Sequence, residues 1–105
     1  MVELKITIPR DQIVDFCQRW KIVELSLFGS VLRDDFRPDS DIDILVTFAP
    51  DATWTLLDHV DMQDELRTLF GRNVDLVSRR GIERSRNKIR RQAILDSAQV
   101  YYAAA

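Results

Sequence analysis

The sequence predicts an α+β fold, a single domain in which strands and helices follow one another along the chain. The length of 105 residues suits one hydrophobic core, and 46% hydrophobic with 30% charged residues is ordinary for a soluble globular protein. The third observation is the spacing of apolar residues, whose period changes several times along the chain between two residues, typical of strands, and about 3.6 residues, typical of helices. The predicted order is strand, helix, strand, strand, helix, strand, helix.

The first half of the chain predicts a strand, a helix and a second strand. Residues Val2–Ile8 alternate apolar with polar side chains, which predicts a half-buried strand that ends at Pro9. A helix from Pro9 to about Trp20 follows, because its apolar side chains recur at the spacing of one helical face. Ile22–Phe28 is a short apolar run rich in β-branched residues, which predicts a central strand closed by Gly29.

The middle of the chain predicts another buried strand and a long helix. Ile42–Phe48 is the apolar run that forms this strand. The helix is predicted from about Thr53 to Phe70, with Thr53 or Asp51 as its N-cap and Gly71 after its last turn. Its predicted apolar face consists of Leu56, Leu57, Val60, Met62, Leu66, Leu69 and Phe70.

The last part of the chain predicts a strand over Asn73–Ser78 and an amphipathic helix from about Glu83 to Tyr102. The net charge is −2, but residues 79–91 hold seven basic residues against one acidic residue, which gives +6 there and −8 elsewhere. This stretch is compatible with a solvated helix face, a phosphate-contacting wall that includes Arg79 or Arg80, or a docking face for an acidic partner. Nucleic-acid binding is not favoured, because aromatic residues are not interleaved with the basic ones and the pI is near 5.3.

Cysteine content and hydropathy narrow the class of protein. The single cysteine, Cys17, excludes an internal disulfide and lies on a predicted apolar helix face, so it is interpreted as a buried structural thiol. No uninterrupted apolar run approaches the roughly 18 residues of a membrane-spanning helix, so a cytoplasmic protein without a membrane anchor is expected. His59 stands beside Asp58 and Asp61 on a predicted helix and is interpreted as a surface residue.

The segment that carries chemistry is Gly29-Ser30, followed by ten residues and then Asp41-Ile42-Asp43. In a strand, side chains two residues apart point to the same face about 6.6 Å apart, so the two aspartates converge while Ile42 faces the core. Magnesium prefers oxygen ligands and is usually bound by one or two carboxylates together with substrate phosphates. The pattern therefore predicts a magnesium site, against the plainer interpretation of a solvated strand edge.

Gly29 and Ser30 predict a phosphate-binding turn beside that site. Without a Cβ, Gly29 lets the backbone approach a triphosphate, and Ser30 opens a turn whose N–H groups and hydroxyl bind phosphate oxygens. For this turn to meet the carboxylates, strand 22–28 must run antiparallel to strand 41–48.

Asp75 lies between buried apolar residues of the next predicted strand and is the expected third carboxylate. Its expected role is to ligate the metal and to draw the proton from, or orient, an attacking hydroxyl. Two cations would then stabilise the attacking and leaving oxygens of an in-line displacement at an α-phosphate, with release of pyrophosphate.

Gly-Ser, ten residues, Asp-x-Asp and a later carboxylate on a strand form a signature by which the chain resembles the minimal nucleotidyltransferase family of the DNA polymerase β-like superfamily. The resemblance runs from about residue 22 to residue 101 and implies the nucleotidyltransferase fold, a small mixed β-sheet with helices packed mainly on one face. Family members often carry a glycine where this chain has Asp34. The triphosphate-binding residues would be Gly29, Ser30, Arg33 and Ser40, and the ligands of two magnesium ions would be Asp41, Asp43 and Asp75.

Small single-domain members of this family resemble the antitoxin half of two-gene pairs whose other half is a helical ribonuclease toxin of the HEPN class. The resemblance implies transfer of AMP from ATP to a tyrosine of that toxin, which inactivates it. The short chain agrees with this expectation, since little is left to grip a primer, a template or a tRNA. Two alternatives stay open: nucleotidyl transfer to a small-molecule hydroxyl, and a catalytically idle module that neutralises its partner by contact.

Overall fold

The structure, a computed structural model, describes residues 8–32 and 40–104. The strand predicted over residues 2–8 therefore lies, apart from Ile8, outside the described residues, and so does most of the polar connection between Ser30 and Ser40. None of the helices in the described ranges is long and apolar enough to cross a membrane.

From residue 10 to residue 78, the described strands and helices follow the predicted order. In chain order the elements are α1 (Arg10–Arg19), β1 (Ile22–Phe28), a 3-10 turn (Gly29–Leu32), β2 (Ile42–Phe48), α2 (Leu56–Phe70), β3 (Val74–Ser78), α3 (Arg79–Glu83), α4 (Lys88–Ser97) and β4 (Gln99–Ala103). The strands form one mixed sheet in the order β3-β2-β1-β4. β1 pairs antiparallel with β2, as predicted, whereas β2 pairs parallel with β3 and β4 pairs antiparallel with β1.

Alternate strand residues divide the core between the two faces of the sheet. The larger cluster lies between the sheet and helices α1 and α2, and it includes Ile13, Phe16, Leu25, Leu27, Ile42, Ile44, Met62 and Leu66. A smaller cluster on the opposite face joins Phe28 and Leu45 to Ile82 of α3 and Ile94 of α4. The predicted α+β fold with a small mixed sheet is therefore confirmed. The helices, however, pack on both faces of the sheet, α1 and α2 on one and α3 and α4 on the other, rather than mainly on one face.

The single helix predicted from Glu83 to Tyr102 is wrong. Asn87 starts α4 as a separate helix, because its side-chain oxygen accepts a hydrogen bond from the Arg90 N–H at 3.0 Å. After α4 the chain forms strand β4 (Gln99–Ala103). Its backbone groups form hydrogen bonds with β1, which is distant in sequence. This pairing overrides the helical preference that the spacing of the local apolar residues indicates.

The start of α2 also differs from the prediction, since the helix begins at Leu56 and its N-cap is Thr55 rather than Thr53 or Asp51. The Thr55 hydroxyl accepts a hydrogen bond from the Asp58 N–H at 3.3 Å, and the Asp58 carboxylate accepts one from the Thr55 N–H at 2.9 Å. This reciprocal capping box satisfies two N–H groups at the start of the helix. At the other end, Gly71 adopts the predicted left-handed C-cap with φ 70°.

The predicted apolar face of α2 is correct for the second half of the helix and wrong for the first. Met62 and Leu66 are fully buried, whereas Leu56 and Leu57 are 79% and 77% exposed and Val60 is also exposed. At 100° per residue, Leu57 lies about 140° around the helix from Met62, which places it on the solvent side.

Cys17 of α1 is fully buried in the larger cluster, as predicted. Burial raises the pKa of its thiol to about 12, because the charged thiolate loses its hydration there. Cys17 therefore stays protonated at neutral pH and packs as a small apolar side chain.

Two leucines of α2 provide a matched test of this packing. Leu66→Ala is expected to lower the free energy of unfolding by about 2–5 kcal/mol, because it leaves a cavity in the core. Leu57→Ala should change it by less than about 0.5 kcal/mol, since that side chain already contacts water. Urea unfolding of both variants measures the difference, and similar losses would contradict the assigned face of α2.

Candidate active site

Two aspartates stand side by side on the face of the sheet that carries the smaller cluster. β2 and β3 run parallel, and in their register Asp43 is the partner of Asp75. Ile42, Ile44 and Leu76, their chain neighbours, are buried in the larger cluster, so both aspartates point to the opposite face. Adjacent strands lie about 4.8 Å apart, which brings the two carboxylates within reach of one cation.

Helix α2 fixes the position of β3, which carries Asp75 and is the last strand on one side of the sheet formed by the described residues. The Gln63 side-chain oxygen accepts a hydrogen bond from the Leu76 N–H at 3.2 Å, and His59 Nε2 donates one to the Leu76 carbonyl at 2.9 Å. These contacts occupy backbone groups that would otherwise be open at the sheet edge. The interpretation of His59 as a surface residue is therefore wrong, because it is half-buried and orders the strand next to Asp75.

Gly29 follows the end of β1 and lies against the carboxylate of Asp43. The two strands are antiparallel with Phe28 opposite Asp43, so the turn after β1 begins beside that carboxylate. Gly29 has a φ of +74°, and a Cβ built on it would lie 2.2 Å from Asp43 Oδ2. A side chain is therefore excluded both by the backbone conformation and by the neighbouring carboxylate. The predicted meeting of the glycine turn with the carboxylates is confirmed for Asp43.

The other residues predicted to bind the triphosphate are described only in part. Ser30 follows Gly29 in the 3-10 turn, whereas Arg33 and Asp34 lie outside the described residues. Ser40 is half-buried just before β2, and its carbonyl accepts a hydrogen bond from Arg72 Nη1 at 3.4 Å. A role of these residues in nucleotide binding stays a prediction.

The remaining predicted carboxylate, Asp41, is exposed and immediately precedes β2. It does not line the cleft that Asp43 and Asp75 share. Across residues 8–32 and 40–104, no three His, Cys, Asp or Glu side chains form a group that could hold a metal ion. The structure thus brings together two of the three predicted ligands. Two carboxylates fit magnesium, whose coordination is usually completed by water and substrate phosphates.

A cleft of about 390 Å³ lies over this pair, between the sheet and α4. Its lining consists of Phe28, Gly29, Asp43 and Asp75 from the sheet and Arg90, Ala93, Ile94 and Ser97 from α4. The α4 residues recur at i, i+3, i+4 and i+7, the spacing of one helical face. This wall was not predicted from the sequence, although its spacing and the surplus of arginine in residues 79–91 could have located it.

A larger cleft of about 730 Å³ lies at the other end of β2 and β3, and its lining includes Phe48, Trp54, Met62, Arg79, Arg80 and Glu83. Phe48 is five residues along β2 from Asp43, a distance of about 16 Å. Arg79 and Arg80 thus lie away from the carboxylate pair. They line a different cleft from the pair, and a phosphate contact of these two arginines stays a prediction.

The fold and the carboxylate pair agree with the family that the sequence matches. The nucleotidyltransferase domain family matches the chain over residues 10–101. Because that span covers most of the 105 residues, the chain belongs to the nucleotidyltransferase domain family.

Three proteins are similar to this chain in sequence or in structure. The protein adenylyltransferase MntA of Thermococcus cleftensis is 35% identical over 66 residues, which are 63% of this chain and 65% of that relative, so the chain spans just under two thirds of the relative's length. A solved structure assigned as a minimal nucleotidyltransferase has 38% identity and a TM-score of 0.65, with 86% of both chains covered. A chain in the structure of tri-AMPylated Shewanella oneidensis HEPN toxin with MNT antitoxin has 23% identity and a TM-score of 0.62, over 90% of this chain and 69% of that chain, which shows a shared fold.

The contact between Gly29 and Asp43 can be tested against a second glycine of similar conformation. Gly29→Ala is expected to displace the Asp43 carboxylate and to weaken binding of magnesium-ATP by about tenfold or more, because the new Cβ would overlap Oδ2. Gly71→Ala is the control, since Gly71 has a φ of +70° but nothing within 4 Å of a built Cβ. It should lower stability by about 1–2 kcal/mol through backbone strain alone and leave nucleotide affinity unchanged. Calorimetric titration and thermal unfolding of both variants make the comparison, and equal nucleotide affinities would refute a specific role of this contact.

Proposed function

We propose that this protein is a magnesium-dependent nucleotidyltransferase that transfers AMP from ATP to a tyrosine hydroxyl of a HEPN ribonuclease toxin, and so acts as its antitoxin. The observation that carries the proposal is the in-register pair of Asp43 and Asp75 beside the Gly29 turn. A surface that only contacts a partner would have no need of this pair, because like charges in adjacent positions destabilise a sheet.

The carboxylate pair is suited to a divalent cation. Two unit charges about 5 Å apart repel by roughly 3 kcal/mol at an effective dielectric near 20, and a cation between them turns this repulsion into attraction. Asp43 and Asp75 would hold magnesium, with Asp41 as a third ligand, and two ions are expected in the complete site. When bound, magnesium supplies Lewis-acid polarisation of the α-phosphate and neutralises the charge that develops there.

The other steps belong to groups of the chain itself. The turn at Gly29 and Ser30 binds the triphosphate through backbone N–H groups, with Arg33 and Ser40 as further contacts. Asp75 accepts the proton of the attacking tyrosine hydroxyl. The tyrosine oxygen forms a bond to the α-phosphorus while the bond to the β-phosphate oxygen breaks, so that AMP is joined to tyrosine and pyrophosphate leaves.

The relatives support this choice of donor and acceptor. The 35%-identical relative from Thermococcus cleftensis is named a protein adenylyltransferase. The Shewanella oneidensis complex pairs an MNT antitoxin with a HEPN toxin that carries AMP groups. Such groups are the product that the proposed reaction would leave on its partner.

The proposal is tested by removing each carboxylate of the Asp43 and Asp75 pair in turn. Asp43→Asn and Asp75→Asn are expected to lower AMP transfer at least about a hundredfold, because each removes a metal ligand and Asp75 also accepts the proton. Asp61→Asn, which neutralises an exposed aspartate of α2, is the matched control and should keep full activity. Transfer is measured with α-labelled ATP, magnesium and the purified co-encoded toxin, and EDTA should abolish it.

Each alternative function gives a different result in this assay. Inhibition of the toxin that survives both substitutions without any label on the toxin would indicate a module that acts by contact. Label on a small hydroxyl compound but not on the toxin would indicate a small-molecule acceptor. Label that maps to a toxin residue other than tyrosine would contradict the proposed acceptor.

A further inference from the structure

Helix α4 presents one arginine to the carboxylate cleft. Arg90 lines that cleft with Asp43, Asp75 and Gly29, and among the described lining residues it is the only one with a positive charge. The cleft is thus bounded by two carboxylates on the sheet and by one guanidinium on the helix. This combination suits a ligand that carries both a metal-bound phosphate and further negative charge.

Two interactions fix the main chain of Arg90 over the sheet. Asn87 Oδ1 accepts a hydrogen bond from the Arg90 N–H at 3.0 Å, which sets the first turn of α4. One turn later, Ile94 is buried against Phe28 and Leu45. Residues four apart lie on the same side of a helix, so the burial of Ile94 places Arg90 on the side that faces the sheet.

The guanidinium of Arg90 has no structural partner within residues 8–32 and 40–104. The hydrogen bonds and ion pairs of these residues involve only its backbone groups. In contrast, the adjacent Arg91 donates to the carbonyls of Glu83 and Ser85 at 3.3 and 3.4 Å. Arg90 also stands in the first turn of α4, which contains no acidic residue and where the helix macrodipole disfavours a positive charge. Within the described residues, nothing thus stabilises the charge of Arg90, whereas a bound anion would stabilise it.

We infer that Arg90 binds the β- and γ-phosphates of the nucleoside triphosphate, from the side of the cleft opposite the sheet. The inference rests on the proposed function, because that function places a triphosphate in the carboxylate cleft. A guanidinium can form two parallel charged hydrogen bonds to one phosphate, a geometry that the ammonium group of lysine does not reproduce. Arg90 thereby retains the leaving pyrophosphate portion while the reaction takes place at the α-phosphate beside Asp43 and Asp75.

The inference is tested by comparing a triphosphate analogue with a monophosphate. Arg90→Ala is expected to weaken binding of magnesium-AMP-PNP by about ten- to a hundredfold, and binding of AMP, which lacks the β- and γ-phosphates, by less than about threefold. Arg90→Lys should recover part of the loss. Arg86→Ala is the control, because it removes the same charge from an exposed position outside the cleft and should bind like the wild type.

Affinities are measured by calorimetric titration, together with thermal unfolding of each variant without nucleotide. Unfolding temperatures should match that of the wild type, since the guanidinium has no partner in the described part of the fold.

Unchanged AMP-PNP affinity in Arg90→Ala, equal losses for AMP and AMP-PNP, or equal losses in Arg90→Ala and Arg86→Ala would each overturn the inference. A wild-type protein that binds no triphosphate would overturn it together with the proposed function. Triphosphate binding that depends on Arg90, without AMP transfer to the toxin, would contradict the proposed function alone.

Discussion

The alignment of Asp43 on β2 with Asp75 on β3 is the constraint on which the candidate site depends. Partner residues of a parallel pair carry their side chains on the same face, and a slip of one residue would turn an aspartate into the core. The larger core cluster opposes that slip, because Ile42, Ile44 and Leu76 fill the other face of the same strands. The hydrophobic effect on one face therefore keeps like charges together on the other, where electrostatic repulsion alone would separate them.

The strand that carries Asp75 is short and, among the strands that the structure describes, pairs only with β2, so its position depends on support from outside the sheet. Gln63 and His59 of α2 supply this support through the backbone of Leu76. On the other side of Asp43, Gly29 approaches so closely that no Cβ could be accommodated. The two carboxylates are thus positioned by contacts from two separate parts of the chain, α2 and the turn after β1.

The basic stretch of residues 79–91 does not form a single surface. α3 and α4 divide its arginines between two clefts, with Arg79 and Arg80 at one end of β2 and Arg90 near the carboxylates at the other. Arg91, in turn, bonds backbone carbonyls. A charge run that is uniform in sequence therefore separates into residues with different surroundings, because the break at Asn87 starts a second helix in a new position.

Local signals in the sequence were sufficient for β1, β2, β3, α1 and most of α2, since apolar periodicity over a few residues predicts each of them. The expected meeting of Gly29 with Asp43 also predicted that β1 and β2 are antiparallel. Only antiparallel strands place the end of β1, next to Gly29, beside the start of β2, which carries Asp43. The sequence alone did not reveal the pairing of β4 with β1, the solvent-facing side of Leu56 and Leu57, or the contact of His59 with Leu76. It also did not reveal the α4 wall with Arg90. Each of these features was decided by the tertiary structure. Each depends either on a partner more than a dozen residues away or on how a helix is rotated against the sheet. Local periodicity encodes neither the distant partner nor the rotation.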